Sequence, residues 1–217
     1  MLASRVAGVD AALGGWIAVI LDGEGFERAE LLPADFAQVL ASLLDVQVIG
    51  VDVPIGLPTE GRRRADIEAR AFLGVRRSAV FFAPPAGSFD AKTYADARVR
   101  HPSMSAQTWA LKRAIVDVER YAGDPRVHEV HPEVSFRALY ASEVPFAKRS
   151  WNGSQLRMEL LREAGIAIPS DLGVPGRAPV DDIVDAGIAA WTARRIASGL
   201  SKTLPADPSS GEPTITY

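Results

Sequence analysis

Short blocks of β-branched and apolar residues dominate the first fifty positions, and a helical period interrupts them once. Residues 4–10, SRVAGVD, read as a strand. Residues 15–32, GWIAVILDGEGFERAELL, read as two strands joined at a Gly23-Glu24-Gly25 hairpin turn. Apolar residues in 34–44, ADFAQVLASLL, recur at helical spacing. The run at 47–53 then reads as a strand buried on both faces, closed by Pro54, which cannot donate to a ladder. Beyond it the pattern predicts an arginine-rich helix over 61–74, a loop over 81–90 and an amphipathic helix over 105–122. A short strand over 126–133 and helices over 134–141, 154–165 and 180–200 complete the expected elements. The tail from 202 to 217 is rich in Pro, Ser and Gly and is expected to be loosely ordered.

Within this pattern one short motif repeats. Val6-Ala7-Gly8-Val9-Asp10 and Val48-Ile49-Gly50-Val51-Asp52 both have the form V-x-G-V-D, with an aspartate at the strand exit. The helix over 34–44 allows a right-handed crossover that would set the two strands parallel and adjacent. Both carboxylates would then emerge at the carboxyl edge of the sheet, where open α/β sheets place ligands. A buried carboxylate is costly unless something compensates it, so Asp52 at the end of a core strand asks for a partner.

Two further stretches carry chemistry. In DDIVDA, Asp182 and Asp185 are three residues apart and share a helix face. Asp181 would cap that helix, and Asp182 would sit in its first turn. Capping accounts for Asp181 and Asp182 but less well for Asp185, which leads into the apolar run AGIAAW. In HEVHPEVSF an extended chain would put Glu129, His131 and Glu133 on one face. That set suits metal binding or acid–base work, and it equally fits a polar edge strand. Trp109 and Trp191 lie at helical core spacing and read as packing.

Composition narrows the chemistry. The 217 residues suffice for one domain spanning 1–217. With no cysteine and three histidines, a metal site must rest on carboxylates, which favours hard ions such as Mg2+ or Mn2+. The net charge of −3 argues against a protein that coats nucleic acid and permits a local basic groove. Arg62, Arg63, Arg64, Arg70, Arg76 and Arg77 form one basic cluster. Lys148, Arg149 and Arg157 form another, beside Trp151. Pairing with Asp66 and Glu68 on a solvated helix explains the first cluster as well as phosphate contact does. No apolar run reaches the roughly 20 residues of a membrane helix, and no signal peptide opens the chain, so a cytoplasmic protein is expected. No phosphate-binding G-x-x-x-x-G-K, no G-x-G-x-x-G and no G-x-S-x-G occurs.

In order along the chain, GVD…GGW, VDVPIGLP, R…D…AR…LG, VFFAPP, HPEVSF and DDIVDA resemble the domain of unknown function number four hundred twenty-nine. That family is described as predicted ribonuclease-H-like nucleases. The resemblance implies an α/β ribonuclease H-like fold: a five-stranded mixed sheet in the order 3-2-1-4-5, with helices on both faces. A helical insertion over about 61–125 would follow the fourth strand. The pattern D…D…DxxDA also resembles resolvases of the RuvC type, in which such carboxylates hold two Mg2+ ions. Carried over, the metal ligands are Asp10, Asp52, Asp182 and Asp185, with Glu133 as a further catalytic candidate and two Mg2+ or Mn2+ ions as cofactors. The resolvases have glutamate where this chain has Asp52. Arg63, Arg64, Arg70, His131, Lys148 and Arg157 are the expected substrate contacts. The expected activity is two-metal hydrolysis of phosphodiester bonds in DNA or RNA, with nucleic acid as partner and no membrane. A phosphoesterase acting on a small nucleotide or phosphate ester is the alternative, as is a scaffold that binds nucleic acid without catalysis. Oligomeric state is open, a homodimer included.

Overall fold

The computed structural model describes residues 4–23, 25–102 and 104–217, so Glu24 of the expected hairpin tip lies outside the described residues. Strands β1 (Arg5–Ala12), β2 (Gly15–Leu21) and β3 (Phe26–Leu32) form an antiparallel meander. Helix α1 (Phe36–Ser42) carries the chain back to β4 (Val46–Val51), which pairs parallel to β1. A short β5 (Val127–Glu129) adds parallel to β4, giving the order β3-β2-β1-β4-β5. The molecule is thus an α/β protein on a five-stranded mixed sheet, with the strand order and directions expected of a ribonuclease H-like fold.

Between β4 and β5 lie α2 (Arg64–Leu73), α3 (Tyr94–Arg100), α4 (Ala106–Ala110) and α5 (Lys112–Glu119), with two short 3-10 turns at 74–79 and 86–90. After β5 come α6 (Pro132–Tyr140), α7 (Trp151–Glu163) and α8 (Val180–Ala197).

Strand alternation divides the apolar side chains between two faces. Ala7, Val9, Ala18, Ile20, Ile49 and Val51 pack with α1 residues Phe36 and Val39 and with Ile115 and Val118 of α5. Val6, Ile17, Val19, Leu21 and Val48 pack on the opposite face, against Ala186, Ile188 and Ala190 of α8. Gly8 and Asp10 share the parity of Val6, and Gly50 and Asp52 share that of Val48, so all four belong to the α8 face.

The glycines explain how close α8 comes. Gly8 and Gly50 are register partners. A Cβ on Gly8 would lie 2.1 Å from both the Ala186 oxygen and the Ala190 nitrogen, and one on Gly50 would lie 2.8 Å from the Ala189 oxygen. Backbone meets backbone there, which only a residue without Cβ permits. In V-x-G-V-D, then, the glycine admits the helix and the aspartate two residues on points toward it.

Several expectations change. The helix expected over 105–122 breaks at Leu111 into α4 and α5, and α3 carries no strong periodic signal. The strand expected over 126–133 stops at Glu129, because Pro132 takes the first position of α6, where its missing N–H costs nothing. Helix α8 starts after Pro179, so Asp181 is a first-turn residue and not the cap. The tail is built into the fold. β6 (Thr203–Leu204) and β7 (Ile215–Thr216) pair, and Val130 bridges to Thr216. Ile215 is buried with Leu73, Val80 and Val134, which anchors the tail by apolar burial where its composition predicted looseness.

Candidate metal centre

Three elements converge on one acidic cluster. Asp10 stands near the end of β1. Asp52 follows β4 directly, its N–H donating to the Val9 carbonyl at 3.0 Å, which ties the two strand exits together. Asp185 comes from α8, held against the sheet by the Gly8 contact. Each offers a carboxylate oxygen, and these oxygens lie within 4.8 Å of one another. Asp10 and Asp185 are buried, at 8% and 0% exposure. The three are close enough to hold a metal ion, and the donor set is all oxygen, as hard divalent ions prefer. Asp182, one turn earlier on α8 and half-buried, lines the same cleft outside this three-oxygen cluster.

Compensation inside the cluster is partial. Asp10 Oδ1 accepts from the Ala11 N–H at 2.7 Å. The Lys148 ammonium donates to Asp185 Oδ2. Asp185 Oδ1 is buried with no hydrogen-bond partner among the described residues. An orphaned buried carboxylate oxygen is expensive, and here it belongs to a residue clustered with two other carboxylates. Burial first, then Asp52, Asp185 and Asp182, raise the Asp10 carboxyl well above its usual range. Burial and Asp185 do the same to Asp52. Asp185 is pushed up to about 6 by burial, against the pull of Lys148. Burial and Asp181 raise Asp182. A cation bound among them would release protons and satisfy the orphan oxygen at once.

The cleft around the cluster measures about 670 Å3 and is also bordered by His131, Glu129, Glu133, Arg63, Arg76 and Lys148. Arg63, expected to meet substrate, has every guanidinium N–H committed. Its Nε bonds to Asp66, its Nη1 to Glu129 and the Ile55 carbonyl, and its Nη2 to Asp66 and Glu129, at 2.5–3.2 Å. Glu129 also accepts from the Ile55 N–H, and Asp66 from the Ala83 N–H. The arginine is therefore an internal brace between the loop after β4, α2 and β5.

Arg157 is likewise buried, bonded to Glu133 at 2.6 Å and to the Phe146 and Gly153 carbonyls. Glu133 is thus in an ion pair, 3.8 Å from Arg76 on its other oxygen, and lies outside the three-oxygen cluster. Glu129, His131 and Glu133 share no strand face, since the last two belong to the start of α6. His131 lines the cleft, its Nε2 3.3 Å from the Ala79 carbonyl, and burial lowers its pKa.

Arg64 lies outside the cleft against Asp207 and Glu212, and Arg70 bonds the Val80 carbonyl and stacks 4.7 Å above the Phe82 ring. Of the six expected substrate contacts, the structure brings Lys148 to the cleft with donors still open to it, while His131 lines the cleft with Nδ1 buried and Nε2 at the Ala79 carbonyl. Glu119 escaped the sequence reading. It accepts from the Gly56 and Leu57 N–H groups and fixes the VPIGLP loop, and nothing in its helical context marks that partner.

A second concavity of about 700 Å3 shares Ala110 with the cleft. Lys92, Lys112, Arg113 and Arg120 line it beside Trp109. Its two carboxylates, Asp35 and Asp117, accept from the Ala37 and Phe36 N–H groups at the start of α1.

Among the described residues no helix is long and apolar enough to cross a membrane. A family model described as "Protein of unknown function (DUF429)" matches residues 8–210. No curated protein and no solved structure matches the chain.

Proposed function

The chain belongs to the DUF429 family, and within it we propose a divalent-metal-dependent hydrolase of phosphodiester bonds, with nucleic acid as its substrate and Mg2+ or Mn2+ as its cofactor. The convergence of Asp10, Asp52 and Asp185, with one buried oxygen left unpartnered, is the observation that carries this reading. Asp10, Asp52 and Asp185 would hold the first ion, and Asp182, half-buried at the cleft wall, would complete a second site. When bound, such ions activate water and neutralise charge developing on the phosphoryl and leaving oxygens.

The remaining groups prepare the site. α8 brings Asp185 to the sheet and keeps water from the apolar side of the cluster. The Arg63–Glu129–Asp66 brace holds the loop after Asp52, and therefore the Asp52 carboxylate, in place. Lys148 supplies a cation at the cleft for a phosphate oxygen, and His131 stands ready on the same wall as a proton carrier. No covalent nucleophile is required, in keeping with a chain that has no cysteine.

The second concavity supports a polymeric substrate. A chain whose reacting phosphate lies at the carboxylates could run past Ala110 onto Lys92 and Arg113. The opposite reading, a small phosphate ester, is favoured by the fate of Arg63 and Arg157, whose cations are spent inside the protein. Activity with Mg2+ or Mn2+ on labelled single-stranded, duplex, hybrid and branched nucleic acids, beside bis-p-nitrophenyl phosphate, tests both. Cleavage of polynucleotides, abolished in Asp10→Asn and in Asp52→Asn, supports the nuclease. Cleavage of the small ester alone supports the phosphoesterase. Cleavage of neither ends the hydrolase reading.

A further inference from the structure

Lys148 occupies an odd position for a lysine. Its ammonium sits on a fully buried carboxylate, Asp185, and is drawn also by Asp52 and Asp10. In charge and place it does what a bound cation would do for the cluster. We propose that Lys148 is the resident counter-cation of the cleft, that a divalent ion and its ammonium compete for Asp185, and that the displaced ammonium then serves the substrate phosphate. This rests on the metal-dependent reading above and adds to it how the site is kept when empty and how loading prepares it for an anion.

The local structure separates a fixed backbone from a free side chain. Lys148 lies just before α7, between Ala147 and Arg149. The Ala147 carbonyl accepts from both the N–H and the hydroxyl of Ser150, and Ser150 in turn caps α7 through the Gly153 N–H. A Cβ at position 153 would lie 1.9 Å from the Ala147 oxygen, so the first turn of α7 presses directly on this segment. Arg149, next in the chain, is held by Asp181 at 3.0 Å. The backbone around Lys148 is thus fixed through Ala147 and Ser150. Its four-carbon stem is not, and its side chain keeps 36% exposure at the cleft.

Electrostatics makes the two cations exclusive. Asp185 has two oxygens: one carries the ammonium, and the other is buried without a partner. An ion drawing on the cluster would sit within a few ångströms of a like charge, and at that range the two repel in a protein-like dielectric. The doubly charged ion wins because Asp10 and Asp52 also ligate it, and the ammonium has no other carboxylate of the described residues in hydrogen-bond reach. Released, it has three donors to offer, and the cleft in front of it is where a substrate phosphate would enter.

Mn2+ binding read by electron paramagnetic resonance on the full-length protein tests the exchange. Lys148→Met should bind Mn2+ at least about tenfold more tightly than wild type, since a competing charge is gone, and Lys148→Arg should stay near wild type. The Mn2+-loaded Lys148→Met protein should bind a phosphorothioate dinucleotide severalfold more weakly. In wild type labelled with 15N-lysine, the Lys148 ammonium resonance should move on addition of Mg2+; this readout needs no substitution and decides the matter if Lys148→Met does not fold. Equal or weaker Mn2+ binding by Lys148→Met, or an unmoved ammonium resonance in protein shown to bind Mg2+, overturns the exchange while the metal reading stands. No Mn2+ binding by either wild type or Lys148→Met overturns both.

Discussion

Two groups of buried carboxylates lie side by side in this protein and are treated oppositely. Asp66 and Glu129 surround Arg63, and every N–H of that guanidinium meets an oxygen or a carbonyl at 2.5–3.2 Å. Asp10, Asp52 and Asp185 crowd within 4.8 Å and share one lysine. The first group is closed: one guanidinium serves both carboxylates, and its hydrogen bonds are made within the chain. The second is open, with more negative charge than the protein neutralises and one oxygen unserved. Burial of charge is tolerable for structure when compensation is complete. Where it is incomplete, the missing part points to something from outside. That contrast, more than the presence of aspartates, locates the site.

The largest effect should come from opening the closed group. Arg63→Ala leaves Glu129 and Asp66 buried and unpaired, which costs about 3–5 kcal/mol. Chemical denaturation of the variant should show that loss. A loss under about 1 kcal/mol would mean that the brace is not needed to hold the loop after β4, and the comparison would lose its closed side.

Next in size is the response of the open group to pH and metal. Asp10, Asp52 and Asp185 have carboxyls raised in the folded state, Asp185 to about 6. Such groups bind protons more tightly folded than unfolded, so their favourable contribution is full below the unfolded value, near 4, and is lost as pH rises through the folded value. Metal-free protein should therefore lose melting temperature from about pH 4 to above pH 6. Mg2+ or Mn2+ at a hundred times its Kd should restore about 2.7 kcal/mol near neutrality. Asp52→Asn should keep the fold and lose most of that restoration. A metal-free protein whose stability rises across the same interval would contradict the account of the cluster.

How far the sequence reveals this arrangement depends on the range of the interactions. The repeated V-x-G-V-D is local and periodic, so it already aligned Asp10 with Asp52, and DDIVDA put Asp185 on one helix face. The glycines of that repeat explain themselves only in three dimensions, as the seat of α8. The arginines are legible only in part: the local pairings of Arg63 with Asp66 and of Arg64 with Glu68, weighed from the sequence, are present, but the distant ones are not visible there. Arg63 is paired with Glu129, 66 positions away, and Arg157 with Glu133 across a helix–helix contact, and no local pattern carries such pairings. The tail misled because Pro, Ser and Gly set its composition while a few residues, Leu204, Ile215 and Tyr217, supply the anchor. Leu111 breaks a helix with no Pro or Gly to announce it.

Gly8→Ala probes the seat of α8 and should rank third. The added methyl meets three backbone atoms that cannot rotate away. Overpacking of this kind costs about 1–3 kcal/mol and shifts the backbone. Because the shift moves Asp185 relative to Asp10, Mn2+ affinity should fall along with the melting temperature. A variant that loses stability but binds Mn2+ as wild type does would show that the cluster adapts to the position of α8.

The smallest effects are expected at the start of α8, and they divide two adjacent aspartates. Asp181 pairs with Arg149, whose side chain is 83% exposed, at the rim of the cleft. Solvent screens such a pair, and its loss is worth less than about 1 kcal/mol. Asp182 is half-buried, lines the cleft and has its carboxyl raised by burial and by Asp181. It is open in the sense that the cluster is open, though to a lesser degree. Asp181→Asn should leave stability and Mn2+ affinity near wild type. Asp182→Asn should also leave stability nearly unchanged while weakening Mn2+ binding by about tenfold or more, the size of effect seen when groups supporting a metal site are removed. Titration of both variants by electron paramagnetic resonance makes the comparison. If the two lose affinity equally, general negative charge at the helix start explains the effect; if neither does, the centre is limited to Asp10, Asp52 and Asp185, and a second ion has no protein ligand on α8 beyond Asp185.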